Sequence, residues 1–189
     1  MSGGFDGAVL CGGESRRMGT DKALVEIDGR PMAHRILDAL RQSGASEVAA
    51  VGGDRAALSS LDLAFVADDH PGEGPLGATV TALRRVGTEP AVVVLACDLI
   101  APSSPVVTAL VERLAEGAAD VVVPRLDGRP QWMHAAWRRR VAGVLEAVFD
   151  SGERSLFDAV HGIDVDFWDV ADPVAFLDAD CPEDLPSAR

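Results

Sequence analysis

Apolar and polar residues alternate along this chain in short blocks whose period switches between that of a strand and that of a helix. Phe5–Cys11 reads as a short buried strand running into Gly12-Gly13. From Pro31 to about Ser43 the residues Met32, Ile36, Leu37 and Leu40 recur on one helical face, with Gly44 as the stop. Glu47–Val51 is a second strand closed by Gly52-Gly53, and a short helix over Arg55–Ser60 leads to a third strand around Leu63–Ala67. A turn-rich loop, Asp68-Asp69-His70-Pro71-Gly72-Glu73-Gly74-Pro75, precedes a helix to Val86. Ala91–Ala96 is apolar throughout, as a parallel strand buried on both faces must be, and it ends in Cys97-Asp98. A helix over Pro105–Gly117 and a strand over Asp120–Val123 complete the regular half.

After Pro124 the pattern loosens. It predicts a strand over Trp132–Trp137, helices over Arg138–Phe149 and Ser155–His161, a strand over Ile163–Trp168 and a short last helix from Pro182. Alternating strands and helices imply an α/β fold, a doubly wound and mostly parallel sheet. No linker, repeat or low-complexity segment interrupts it, so residues 1–189 read as one domain with a regular part to about 123 and a looser part from about 124.

Composition narrows the function classes. The chain has 189 residues, 48% hydrophobic and 25% charged, the mix of an ordinary globular domain. No apolar stretch approaches the roughly 18–20 residues of a membrane helix. Met1-Ser2-Gly3-Gly4 lacks a basic start, and Ala8–Cys11 is too short for a signal peptide, so a cytoplasmic location is expected. The net charge is −13 and the nearest thing to a basic run is Arg138-Arg139-Arg140, which argues against nucleic acid as a partner. Three cysteines far apart suggest neither a disulfide framework nor structural zinc, and fit a reducing compartment.

In open α/β sheets ligands bind beyond the carboxyl ends of the strands, and three polar clusters fall there. The first is Leu10-Cys11-Gly12-Gly13-Glu14-Ser15-Arg16-Arg17-Met18-Gly19-Thr20-Asp21-Lys22. Its glycines let backbone N–H groups approach an anion, Ser15 adds a hydroxyl, and Arg16, Arg17 and Lys22 concentrate positive charge. It is neither a Walker A loop nor a dinucleotide fingerprint. The second, Ala96-Cys97-Asp98-Leu99, sets a carboxylate where it can hold Mg²⁺ against phosphates, or cap the following helix. The third is Leu177-Asp178-Ala179-Asp180-Cys181-Pro182-Glu183-Asp184-Leu185. Asp180 is a second metal ligand or an N-cap of the Pro182 helix, and Asp178 reads as structural.

The first cluster resembles the signature loop of the nucleotidyltransferase family that includes GTP:molybdopterin guanylyltransferase, Leu-Ala-Gly-Gly-x-Ser-x-Arg-Met-Gly-x-Asp-Lys, with Cys11 in place of alanine. The resemblance covers most of the chain from Val9 to Leu185. It implies a Rossmann-like, glycosyltransferase-A-like three-layer sandwich, with a nucleotide-binding half over about 1–123 and an acceptor-binding half over about 124–189. It implies that Leu10, Gly12 and Gly13, in one loop with Cys11 and Ser15, hug guanine and ribose, and that Arg17 and Lys22 lie on the triphosphate. Gly74-Pro75-Leu76-Gly77 resembles the family element that runs along the nucleotide. The family's upstream aspartate touches the nucleoside, a role for which Asp68 and Asp69 compete. Gly52 stands near the base, where it can serve only through its backbone. Asp98 matches the Cys-Asp-x-Pro motif, although Ile100-Ala101 delay Pro102.

The implied reaction is transfer of GMP from GTP to the terminal phosphate of molybdopterin, with Mg²⁺ on Asp98 and with Lys22, Arg17 and Asp98 as the catalytic set. The acceptor side is carried by Gln131-Trp132-Met133-His134 and Gly152-Glu153-Arg154, with Arg154 toward an acidic pterin ligand. Trp132 and Trp137 read as core packing, and His134 as a buried, hydrogen-bonded histidine rather than a general base. Two alternatives stay open: a cytidylyltransferase of the same family, and a nucleotide-binding protein without turnover. Expected partners are GTP, a molybdopterin-type small molecule and molybdoenzyme maturation proteins, with no membrane, the chain being a monomer or weak oligomer. Cys11, Cys97 and Cys181, each beside one cluster, read as small buried hydrophobes; the alternative is redox-sensitive thiols with pKa values lowered by Arg17 and Lys22.

Overall fold

The structure, a computed structural model, describes residues 3–12, 22–61, 63–170, 173–179 and 181–185. Strand β1 (Phe5–Leu10) is buried along its whole length. Its alternating side chains feed two apolar layers: Ala8 and Leu10 face one, Phe5 and Val9 the other, with Cys11 just beyond. That is why Ala8–Cys11 is a continuous apolar run rather than a strict alternation.

The chain then makes a small hairpin, β2 (Glu26–Ile27) with β3 (Arg30–Pro31), before helix α1 (Met32–Gln42). Next come β4 (Val48–Val51), α2 (Arg55–Ser59), β5 (Ala64–Val66), α3 (Pro75–Arg85) and β6 (Ala91–Ala96). Helix α4 (Ser104–Glu116) leads to β7 (Val121–Leu126), β8 (Arg129–Pro130) and β9 (His134–Arg138). Helices α5 (Ala142–Asp150) and α6 (Leu156–Ala159) precede the last strand, β10 (Val165–Asp169).

The sheet runs β10-β7-β9-β6-β1-β4-β5, with β8 paired to β7. β6, β1, β4 and β5 are mutually parallel, β10 is parallel to β7, and β9 alone of the long strands runs antiparallel between β6 and β7. Residues of α3, α5 and α6 cover one face and residues of α1, α2 and α4 the other, giving the three layers of a doubly wound α/β fold. No helix among the described residues is long and apolar enough to cross a membrane.

The looser half departs from the sequence reading in register. Gln131–Met133 forms a turn and the strand starts at His134, so Arg138 ends β9 instead of opening a helix. Arg139–Val141 is a 3₁₀ turn, and α5 begins only at Ala142. The helix expected over Ser155–His161 is one short turn plus a 3₁₀ turn over Val160–Gly162. Both small hairpins turn on Asp-Gly pairs with positive φ, Asp28-Gly29 and Asp127-Gly128. That dipeptide is the strongest short-range hairpin signal, and it stood in the sequence unused.

The three consecutive arginines are structural. Arg138 donates to the carbonyls of Leu114, Gly117 and Ala119, and Arg140 pairs with Asp120 at 2.9 Å. Arg139 lies 2.8 Å from Asp6, a fully buried carboxylate within β1, and also donates to the carbonyls of Glu89 and Val86. Asp6 further accepts the N–H groups of Glu47 and Glu89. A buried carboxylate survives only with such a full set of donors, and this one ties β1, β9 and the α3–β6 loop together.

Candidate active site

Three strand ends meet at the sheet's carboxyl edge. The ladder continues one residue beyond each strand: Cys11 N–H donates to Val51 O (2.9 Å), Gly52 N–H to Val66 O (3.0 Å) and Cys97 N–H to Leu10 O (3.1 Å). Gly52 has φ +71°, and a β-carbon on it would lie 3.2 Å from Gly12 Cα. Two backbones touch there, which only glycine permits. Above them opens a cleft of ≈ 500 Å³ whose lining includes Leu10, Gly12, Asp68, Gly74, Pro75 and Met133.

The two competing aspartates separate cleanly. Asp68 Oδ1 accepts the His70 N–H (3.0 Å) and the Thr81 hydroxyl (2.9 Å), while a β-carbon built on Gly12 would sit 3.7 Å from Asp68 Oδ2. Asp69 turns away and pairs with Arg85 Nε at 2.6 Å. Leu76 is fully buried in the apolar layer, so of the Gly74-Pro75-Leu76 stretch only the first two residues line the cleft.

The first and second clusters also meet. Lys22 Nζ lies 3.0 Å from Asp98 Oδ2, both side chains being partly exposed. Asp98 follows the residue whose N–H extends the ladder to Leu10, so the pair stands beside the cleft. Asp98 caps no helix: α4 starts at Ser104 under Ser103, whose hydroxyl accepts the Val106 N–H. The third cluster packs alongside the second. Ile100 N–H donates to Leu177 O (2.8 Å), Ala179 N–H to Asp98 O (3.0 Å), and Leu99 bridges Asp178 antiparallel. Gly13, Ser15, Arg16, Arg17 and Asp180 lie outside the described residues.

No group of three or more His, Cys, Asp or Glu that could hold a metal occurs among the described residues. Magnesium rarely needs one, because it is commonly held by one or two carboxylates together with substrate phosphates. Asp98 is a partly exposed carboxylate of the kind that smaller demand calls for, and its partner here is the ammonium of Lys22.

His134 is buried on β9, as expected, but neither ring nitrogen has a hydrogen-bond partner. Burial pushes its pKa down to about 4, partly opposed by the charge of Asp98. The expected hydrogen bonding is therefore absent, since its neighbours in that layer, such as Phe176 at 5.9 Å between ring centroids, are apolar. Trp137 is fully buried, whereas Trp132 stands edge-on to Phe157 and Phe167 in a half-exposed aromatic cluster. Arg154 is half-exposed and already partnered. It pairs with Glu73 at 2.7 Å and lies over the Phe149 ring, fastening the cleft loop to the α5–α6 turn. Glu153 accepts the N–H groups of Ser155 and Arg154, which hold its carboxyl below the usual range.

Cys11 and Cys97 are buried in the same apolar layer, and no cysteine is in a disulfide. The Cys181 thiol donates to Asp184 at 3.2 Å, and that hydrogen bond pushes its pKa up, against the redox-sensitive alternative, which called for a lowering. The sequence reading missed Thr81, and it set Met133 on the acceptor side without a role of its own. Thr81 is a buried hydroxyl on the apolar face of α3, a signal visible in the pattern Leu76–Leu83. Met133 carries no polar chemistry, and only its bond from Ala96 N–H (3.0 Å) brings it to the cleft.

Comparison with known proteins adds three kinds of likeness. Residues 7–164 match the family described as the MobA-like NTP transferase domain. The chain is 34% identical to a "Probable molybdenum cofactor guanylyltransferase" of Chloroflexus aggregans, over 96% of this chain and 91% of that one. It is 33% identical to the molybdenum cofactor guanylyltransferase of Cereibacter sphaeroides, over 97% and 94%. Its fold matches that of molybdopterin-guanine dinucleotide biosynthesis protein A from Archaeoglobus fulgidus with a TM-score of 0.79 at 24% identity, covering 95% of this chain and 94% of that one.

Proposed function

This chain belongs to the MobA-like NTP transferase family, and from that premise we propose that it transfers GMP from GTP to the terminal phosphate of molybdopterin, releasing pyrophosphate. The observation that carries the reading is the Lys22–Asp98 pair beside a cleft built from strand ends.

An oxygen of the acceptor's terminal phosphate forms a bond to the α-phosphorus of GTP. The bond from that phosphorus to the α–β bridging oxygen breaks, and pyrophosphate leaves with the electron pair. The attacking oxygen is already anionic, so no general base is needed; the protein contributes alignment and charge. Leu10, Gly12 and the Gly52 backbone form the wall for base and ribose, and Asp68 accepts a hydrogen bond from the nucleoside. Gly74 and Pro75 line the opposite side. Lys22, with Arg17, takes the charge that builds on the departing pyrophosphate. Asp98, with Asp180, would hold Mg²⁺, which supplies charge neutralisation on the phosphate oxygens when bound. The acceptor approaches from residues 124–189, past Met133 and the aromatic cluster around Trp132.

The test is to incubate the protein with molybdopterin and each nucleoside triphosphate, then measure pyrophosphate and adduct mass. A GMP adduct formed only from GTP is expected. A CMP adduct would replace guanylyl by cytidylyl transfer, and nucleotide binding without any adduct would make the protein a binder.

A further inference from the structure

We propose that Thr81 is a positioning residue for nucleotide selection: by holding one oxygen of Asp68 it dedicates the other to a hydrogen-bond donor on the nucleoside. The inference rests on the reading of the cleft as a nucleotide site. Thr81 is fully buried on α3, where an apolar residue would pack equally well. Its hydroxyl instead stands at a junction. It lies 2.9 Å from Asp68 Oδ1 and 3.1 Å from Gly77 O, and it accepts the Asp69 N–H at 3.1 Å.

A hydroxyl has one proton to give, and a carboxylate takes it in preference to a neutral carbonyl because the bond is charge-assisted. With the His70 N–H also on it, Asp68 Oδ1 is fully engaged and the carboxylate cannot rotate freely. Oδ2 is the oxygen directed toward Gly12, on the lining of the cleft. The same hydroxyl fixes the backbone of Asp69, so that its side chain leaves the cleft for Arg85. One buried threonine therefore decides which of two adjacent carboxylates faces the ligand and with which oxygen. The complementary ligand group is an N–H or O–H donor on the nucleoside, either the guanine 2-amino group or a ribose hydroxyl.

The test compares wild type, T81V and T81S by calorimetric titration with Mg·GTP, Mg·ITP and Mg·2′-deoxyGTP, and by transfer kinetics. T81V keeps the shape and loses the donor; T81S keeps the donor. T81V should weaken GTP binding about ten-fold, the scale of one charge-assisted hydrogen bond, and T81S should restore it to within about two-fold. KM for GTP should rise by the same factor while kcat and the acceptor KM stay level, whereas a merely unfolded fraction would lower kcat and leave KM alone. Loss of the preference over ITP in T81V assigns the donor to the 2-amino group, and loss of the preference over 2′-deoxyGTP assigns it to the sugar. T81A takes the place of T81V if the latter does not fold. Unchanged GTP affinity in T81V, or T81S as weak as T81V, overturns the proposal while leaving guanylyl transfer standing. A wild-type protein that binds no nucleotide overturns both.

Discussion

Lys22 Nζ rests 3.0 Å from Asp98 Oδ2, joining residues 76 apart in sequence. In the proposed reaction the first of these residues serves phosphate and the second serves metal, so the pair joins the two proposed roles. On that proposal, Mg·GTP would part the pair, with Lys22 turning to a phosphoryl oxygen and Asp98 to the divalent ion.

Two outcomes follow for Asp98→Asn. Pyrophosphate release at saturating Mg²⁺ should fall about a hundred-fold or more, the usual scale for losing a metal's charge stabilisation. Metal-free GTP should bind at least as tightly as to wild type, because Lys22 has lost its internal competitor. Near-normal turnover would remove Asp98 from the chemistry.

Lys22→Ala should weaken GTP binding and slow transfer together, since its charge acts on the triphosphate in both ground and transition states. Unchanged affinity and rate would exclude this side chain from the phosphate cradle.

Asp68→Asn should raise the Kd for GTP by about ten-fold, while Asp69→Asn should leave it within about two-fold. Asp69 only pairs with Arg85 on an exposed face, and such pairs are worth about 0–1 kcal/mol. Titration of both variants decides it; equal effects would deny the division of labour between the two carboxylates.

His134 makes stability depend on pH. Its folded pKa, about 4, lies below the ordinary 6.5, so between those values the unfolded chain binds the extra proton. Stability contributed by the neutral imidazole is complete above about pH 7 and is lost as pH falls, by roughly 2 kcal/mol at pH 5. Urea midpoints of wild type and His134→Leu between pH 7.5 and 5 provide the check. The leucine variant should have the flatter profile, and parallel profiles would contradict it. At pH 7 it should be no less stable, because two unpartnered ring nitrogens leave the core.

Arg139→Met should destabilise the fold by about 3–5 kcal/mol, because it strands the buried Asp6 carboxylate. Denaturant unfolding measures this, and activity per folded molecule should not change. Gly87→Ala should harm the same staple, since a β-carbon there would lie 2.2 Å from Asp6 Cγ.

The α/β order and the three clusters were legible because parallel strands covered on both faces print as unbroken apolar runs, as in Ala91–Ala96, and because polar residues cut those runs at one edge. The start of β9 was not legible, nor was the role of Arg138–Arg140. The latter depends on carbonyls of distant segments, Leu114 and Val86 among them, that no local pattern announces. The choice between Asp68 and Asp69 likewise depends on Thr81 and Arg85, more than ten residues along the chain. His134 could be seen as buried from its apolar neighbours, but that neither ring nitrogen finds a hydrogen-bond partner is a tertiary fact.

The arginine run has a consequence for how substrate arrives. With Arg138 and Arg139 turned to carbonyls and the buried Asp6, and the exposed Arg140 paired with Asp120, the cations nearest to forming a basic patch gather no local positive field on a chain of net charge −13. A triphosphate approaching from afar is repelled by most of the surface, and the attraction it meets is confined to the last few ångströms. Encounter is therefore slowed by long-range electrostatics, the reverse of steering. Added salt, by shortening the range of that repulsion, should speed association even while it weakens the final contacts.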